Sequence, residues 1–154
     1  SLLDRAPMPM ERVHRVQAEI GVPEEAAAAY ENVMRAALPK SGSGRKSMPV
    51  FDLILLGMGA DGHTASLFPE GAAVMEKVRW MVASAPPVDA YPHVERVTVT
   101  LPVINNAKCV AFLVSGGPKE PVVDSILAGE PAAHRRYPAA RVAPEGELVW
   151  FVHF

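Results

Sequence analysis

The stretch that decides the predicted fold is FDLILLGMGADGHTASLFP, residues Phe51 to Pro69. Its first six residues, FDLILL, form a largely apolar run with β-forming side chains that is far too short to span a membrane. A continuous run of this length is typical of a strand that is buried on both faces of a parallel sheet. We therefore expect residues 51–56 to form a central strand.

A glycine-rich loop follows this strand. Gly57, Gly59 and Gly62 allow sharp turns and close approach of a ligand, and the ionisable residues Asp61 and His63 are set among them. Ligands of open α/β sheets bind at the carboxyl ends of the strands, which is where this loop lies. We therefore predict that the loop is the active site.

The rest of the chain alternates strand-like and helix-like segments. A strand, a glycine turn and a helix recur in the order VAFLV, SGGPK and PVVDSILA. This alternation predicts a single α/β domain over residues 1–154, with a Rossmann-like, three-layer, mainly parallel sheet that carries helices on both faces. The predicted elements are helices at 23–38 and 121–128, strands at 78–84, 97–101, 110–114 and 148–154, an exposed loop at 39–49 and a loop-rich segment at 129–147.

Composition narrows the class of protein. The 154 residues are 49% hydrophobic and 21% charged, which is usual for a globular domain, and the net charge of −2 gives no electrostatic case for binding nucleic acid or an anionic membrane. The single Cys109 cannot form an internal disulfide, and we find no secretory signal. We expect a cytoplasmic protein in which Cys109 is a buried structural thiol.

Two other interpretations of the loop have to be weighed. Gly57 to Gly62 spells G-x-G-x-x-G, but a dinucleotide-binding turn needs a long helix after it, and Pro69 and Gly71 would cut that helix short. The loop would be purely structural if Asp61 caps a helix and His63 satisfies a carbonyl. A carboxylate and an imidazole two residues apart at a strand end instead favour a general base and its orienting partner.

The motif GMGADGHTASLFP resembles the signature of the 6-phosphogluconolactonases, in the fold group that also contains glucosamine-6-phosphate deaminases. The segments RVTVTLPVIN, VAFLVSGGPK and LVWF follow in the family's order, so the resemblance covers nearly the whole chain. The deaminases carry a catalytic glutamate five residues after the histidine, where this sequence has Phe68. The resemblance therefore implies lactone hydrolysis: 6-phospho-D-glucono-1,5-lactone would give 6-phospho-D-gluconate in the oxidative pentose phosphate pathway. A sugar-phosphate isomerase or deaminase and a non-catalytic sugar-phosphate-binding fragment stay open as alternatives.

Family members also carry an N-terminal portion with a Gly-Gly-Ser/Thr-Pro phosphate loop and an Asp-Glu-Arg stretch, and this sequence contains neither. The resemblance thus implies that the chain corresponds to the C-terminal two-thirds or so of a lactonase. A domain that lacks part of its sheet would expose an unpaired edge, so we expect self-association through that edge.

The resemblance and the local chemistry together assign roles. His63 is predicted to be the general base on water, and Asp61 to fix its tautomer. The phosphate is predicted to bind Arg96 and Lys119, since Lys119 follows a glycine turn at a helix start, where the free N–H groups favour anions. The further predicted contacts are backbone N–H groups of Gly59, Gly62 and Gly116, and the side chains of Ser66 and His93.

No cofactor is predicted, because hydrolysis by a general base on water needs none. No metal site is predicted either, because the five histidines and one cysteine do not show the spacing of metal ligands.

Overall fold

The structure is a computed structural model that describes Arg5 and residues 8–41, 47–88, 90 and 92–154. Within these ranges, no helix combines the length and the apolar character needed to cross a membrane. The helices are α1 (Pro23–Ala37), α2 (Leu101–Ile104), α3 (Glu120–Leu127) and α4 (Pro131–Arg136). The strands are β1 (Lys40–Ser41), β2 (Met48–Pro49), β3 (Ile54–Leu56), β4 (Met81–Ser84), β5 (Arg96–Val99), β6 (Cys109–Ser115) and β7 (Glu147–His153).

A parallel sheet in the order β3-β6-β7 forms the centre of the molecule. Its middle strand is β6, in which Val110 and Phe112 are fully buried and the Phe112 ring stacks on Trp150 of β7 with 4.0 Å between ring centroids. The same core cluster includes apolar side chains of α2 and α3, so these helices pack on one face of the sheet. The predicted α/β class with a parallel sheet is confirmed.

The strand predicted at residues 51–56 differs from the expectation of a central strand. Only Ile54–Leu56 is regular, and in the part of the chain that the structure describes β3 has a hydrogen-bonded neighbour on one side only, β6. Leu53 and Leu55 are 51% and 59% exposed, whereas Leu56 is buried. Successive side chains of a strand point to opposite faces, so Leu53 and Leu55 point away from the core and Leu56 points into it. Burial on both faces is therefore wrong for β3, whereas in β6 the successive residues Val110, Ala111 and Phe112 are all buried.

A second layer consists of the antiparallel pair β4–β5 with α1 packed against it. Helix α1 begins with Pro23, whose fixed φ suits the first turn, and Glu24 and Glu25 favour its positive end. It ends at Ala37 because Leu38 precedes Pro39, which disfavours helical backbone in the residue before it. We refer to β4 and β5 together as the β4–β5 ribbon.

The loop predicted at 39–49 is only partly an exposed loop. Strands β1 and β2 pair antiparallel, and both Met48 and Pro49 are buried. Asn106 donates from Nδ2 to the Pro49 carbonyl at 2.9 Å, and the Trp80 indole N–H donates to the Ser47 carbonyl at 3.0 Å. These bonds hold the end of the segment in the core, so the prediction of exposure is wrong there. Residues 42–46 lie outside the described residues.

Candidate active site

The glycine loop, residues 57–68, lies at the carboxyl end of β3 and folds back on itself. The Gly59 N–H donates to the His63 carbonyl at 2.9 Å, and the Gly62 N–H donates to the Gly59 carbonyl at 3.0 Å. The buried Thr64 hydroxyl closes the loop by donating to the Gly57 carbonyl at 2.8 Å. Gly62 has φ +77°, a backbone conformation that favours glycine. The loop therefore holds a defined shape before any ligand arrives.

This shape brings Asp61 and His63 together. Nδ1 of His63 lies 2.6 Å from Oδ1 of Asp61, and the backbone N–H of His63 donates to the same oxygen at 3.1 Å. An ionised carboxylate only accepts hydrogen bonds, so in the neutral imidazole this contact places the proton on Nδ1 and the lone pair on Nε2. The imidazole is 29% exposed and its partner 43%, so water can reach the site. The pair has the geometry of a base and its orienting group.

Two glycines of the loop make room for neighbouring side chains. A Cβ at Gly59 would lie 2.3 Å from the His63 ring and 2.6 Å from the Asp61 carboxylate. A Cβ at Gly62 would lie 2.5 Å from the ring of Tyr137, a residue in the segment predicted to be loop-rich. Tyr137 could not be predicted from the sequence, because nothing local links positions 62 and 137.

The backbone N–H groups of Gly59, Gly62 and Gly116 were predicted to face the substrate. All three instead donate to carbonyls of the protein, the Gly116 N–H to that of His153 at 3.1 Å. Their hydrogen-bonding capacity is engaged within the fold, so this structure corrects the prediction that they are substrate donors. What Gly59 and Gly62 provide is space.

The Phe68 ring contacts both His63 and Arg96. The ring is 4% exposed, its centroid lies 4.9 Å from that of the imidazole, and Cζ of Arg96 lies 5.5 Å from the ring centroid on the β4–β5 ribbon side. Within the described ranges, no carboxylate forms an ion pair with Arg96. A guanidinium without such a partner can bind an anion near the imidazole.

Lys119 and Gly116 lie in a second turn at the same edge of the sheet, because β6 runs parallel to β3. Gly116 has φ +102°, and Gly117–Lys119 forms a 3-10 turn that leads into α3. A Cβ at either glycine of this turn would meet no atom within 4 Å. The strand, glycine turn and helix predicted here are confirmed, but the described residues show no hydrogen bond between this turn and the Asp61–His63 pair.

In the described residues, the two remaining predicted contacts, His93 and Ser66, form hydrogen bonds with other parts of the chain and none with the imidazole. His93 is exposed, and its Nδ1 lies 3.2 Å from the Pro87 carbonyl. Ser66 has both backbone polar groups bonded to the β4–β5 ribbon, through Thr98 and Ser84. Among the residues that the structure describes, no three His, Cys, Asp or Glu side chains gather as metal ligands would.

Comparison with known sequences gives one family. The model of the glucosamine-6-phosphate isomerases/6-phosphogluconolactonase family matches residues 1–150. The chain is 39% identical over 150 residues to the 6-phosphogluconolactonase of Synechocystis and 41% identical over 153 residues to the human 6-phosphogluconolactonase. These matches cover 97% and 98% of the chain but only 59% and 55% of the two relatives, so it spans little more than half of their length.

Solved structures give the same result. The 6-phosphogluconolactonase of Trypanosoma brucei superposes with a TM-score of 0.82 at 31% identity, over 94% of this chain and 60% of its own. The one from Thermotoga maritima gives 0.75 at 32% identity, over 97% and 60%.

Proposed function

The chain belongs to the glucosamine-6-phosphate isomerases/6-phosphogluconolactonase family, and on that premise we propose that it hydrolyses 6-phospho-D-glucono-1,5-lactone to 6-phospho-D-gluconate, a step of the oxidative pentose phosphate pathway. The observation that carries the proposal is the 2.6 Å contact between His63 and Asp61 at the end of a parallel strand. Relatives about 40% identical over nearly the whole chain are named for this activity.

The chemistry follows from the free lone pair on Nε2 of His63. This nitrogen takes a proton from water as the water oxygen attacks the lactone carbonyl carbon. The tetrahedral intermediate then expels the ring oxygen, which takes the proton back from the imidazolium, and the products are one carboxylic acid and one hydroxyl group. Asp61 stabilises the transient imidazolium and keeps its Nε2 aimed at the water.

The phosphate of the substrate supplies binding energy far from the reacting carbon. Arg96 is our first candidate for its partner, because its guanidinium lies against the same Phe68 ring as the imidazole. Lys119 is the second, since it follows an open glycine turn at the same sheet edge. Gly59 and Gly62 contribute by letting Asp61, His63 and Tyr137 pack closely.

Phe68 separates this proposal from the deaminase alternative. Where the resemblance places the glutamate of the deaminases, this chain has a buried aromatic ring that cannot transfer protons. No described contact favours a second function over lactone hydrolysis.

The test is to measure turnover of 6-phosphogluconolactone from the protons that the acid product releases. The rate is corrected for spontaneous hydrolysis of the lactone, and the His63→Ala variant is the control. We expect catalysis that the variant loses. Hydrolysis at the rate in buffer would refute the proposal, and ammonia released from glucosamine 6-phosphate would indicate the deaminase.

We also propose that residues 1–154 form one α/β domain, act in the cytoplasm and self-associate through the edge of β3. The single Cys109 agrees with a reducing compartment. Self-association is supported by two observations: within the described residues β3 pairs with β6 alone, and Leu55 on β3 and Leu53 beside it are more than half exposed. Light scattering should give a mass that rises with concentration, and Leu55→Lys should abolish the rise. A constant monomer mass would refute self-association.

A further inference from the structure

The β4–β5 ribbon presents Arg96 and two hydroxyl groups from one face. In its register Ser84 is opposite Arg96, and Val82 is opposite Thr98. Residues directly opposite one another, and residues two apart along a strand, lie on the same face. Ser84, Arg96 and Thr98 therefore project together, toward the glycine loop.

The two hydroxyls hold a single residue of that loop. Ser66 donates its backbone N–H to Oγ1 of Thr98 at 3.1 Å, and its carbonyl accepts a hydrogen bond from Oγ of Ser84 at 2.5 Å. Thr98 and Ser84 are only 2% and 5% exposed, so water cannot readily replace either bond. Removing one hydroxyl would leave a backbone group of the half-buried Ser66 without its partner.

The held residue lies in an unusual turn. Ala65, the preceding residue, has φ 50°, a left-handed conformation that is uncommon for a residue with a Cβ. The turn is closed by the Leu67 N–H, which donates to the Thr64 carbonyl at 2.8 Å. Directly beyond it comes Phe68, on whose ring His63 and Arg96 both lie.

We propose that Ser84 and Thr98 are positioning residues, which fix Arg96 at the Phe68 ring and thereby set its place relative to His63. The inference rests on the proposed function, because it takes Arg96 as the partner of the substrate phosphate. Neither hydroxyl touches the reacting atoms. They act through their hydrogen bonds to Ser66, which connect the glycine loop that contains His63 to the ribbon that contains Arg96.

Thr98→Val tests this with little change of shape, because it replaces only the hydroxyl. Displacing Arg96 should lower kcat/KM for 6-phosphogluconolactone about tenfold, mainly through KM, since small misplacements of a binding group are costly. Glucono-1,5-lactone without the phosphate should be affected much less. Thr98→Ser should restore the activity, and Ser84→Ala should repeat the loss.

Thr100→Val is the matched control. Thr100 is also fully buried and donates from Oγ1 to a carbonyl, that of Arg79 at 2.7 Å. This hydrogen bond joins two residues that flank the ribbon, whereas those of Thr98 and Ser84 join the ribbon to the glycine loop. It should leave the ratio of the two kcat/KM values unchanged. An equal loss for both lactones in Thr98→Val, or the same selective loss in Thr100→Val, would overturn the inference.

A measurement without turnover separates this inference from the proposed function. Nuclear Overhauser contacts between Phe68 ring protons and the Arg96 side chain should be present in the wild type and in Thr100→Val, and lost in Thr98→Val while the His63 to Phe68 contacts remain. An inactive wild type with this pattern would refute the lactonase proposal alone. Unchanged Arg96 contacts in Thr98→Val would refute the positioning role whatever the activity.

Discussion

Two turns end neighbouring parallel strands, and they differ in how much of their space is filled. In the glycine loop after β3, a Cβ on Gly59 would lie 2.3 Å from the His63 ring. In the turn after β6, a Cβ on Gly117 would meet no atom within 4 Å. Both turns are rich in glycine and both lie at the same sheet edge.

The difference indicates two kinds of function. The first turn is closed by hydrogen bonds of its own and fixes an imidazole against a carboxylate, which suits chemistry that needs accurate placement. The second turn is open and ends in Lys119 at the start of α3. This arrangement suits binding of a phosphate group that takes no part in the proposed reaction.

The largest effect is expected for His63→Ala in the closed loop. Removing a positioned general base should lower kcat by about 10² to 10⁴ with a much smaller change in KM. Steady-state kinetics on 6-phosphogluconolactone would measure both. A kcat within a few-fold of the wild type would place the base elsewhere.

The second effect compares Gly59→Ala with Gly117→Ala. The first adds a methyl group that overlaps the imidazole, so His63 must move and kcat should fall about 10²-fold. The second adds the same group into open space and should change kcat by less than about twofold. Circular dichroism should show both variants folded. Equal kcat values in the two variants would remove the distinction between a closed and an open turn.

The sequence revealed the Asp61–His63 pair because both residues lie in one short loop, where glycines and spacing carry the information locally. It could not place β3, since the apolar run from Phe51 reports the burial preference of its side chains and says nothing of which strands pair with it. Strand β6 lies more than 50 residues further on and takes the central position instead. The roles of the site residues stay predictions.

The contacts that complete the candidate site were also beyond the sequence, for the same reason. Ser84 and Thr98 are common short polar residues, and only the pairing of β4 with β5 turns both toward Ser66. Tyr137 precedes a 3-10 turn in a segment predicted to be loop-rich, and tertiary packing alone brings it to Gly62.

A third prediction sharpens the role of the open turn. Lys119→Ala and Arg96→Ala should each weaken binding of the phosphorylated lactone by about 1.5 to 3 kcal/mol, the usual contribution of a charge-assisted hydrogen bond. The loss should appear in kcat/KM and be far smaller for unphosphorylated gluconolactone.

Lys108→Ala is the control for these two variants, because Lys108 precedes the amino end of β6 and pairs with Asp52 at 2.7 Å. It should behave as the wild type with both lactones. If Lys119→Ala is equally harmful with the two substrates, the open turn does not bind the phosphate.

We expect the closed loop to hold the neutral imidazole of His63 with its proton on Nδ1 and with Nε2 free to accept one. Long-range proton–nitrogen correlation spectra of the ligand-free protein at alkaline pH report the tautomer directly. We expect the Nδ1–H tautomer in the wild type, and a mixture shifted toward Nε2–H in Asp61→Asn, since the amide no longer demands a donor. A wild-type spectrum dominated by Nε2–H, or one that Asp61→Asn leaves unchanged, would contradict the account.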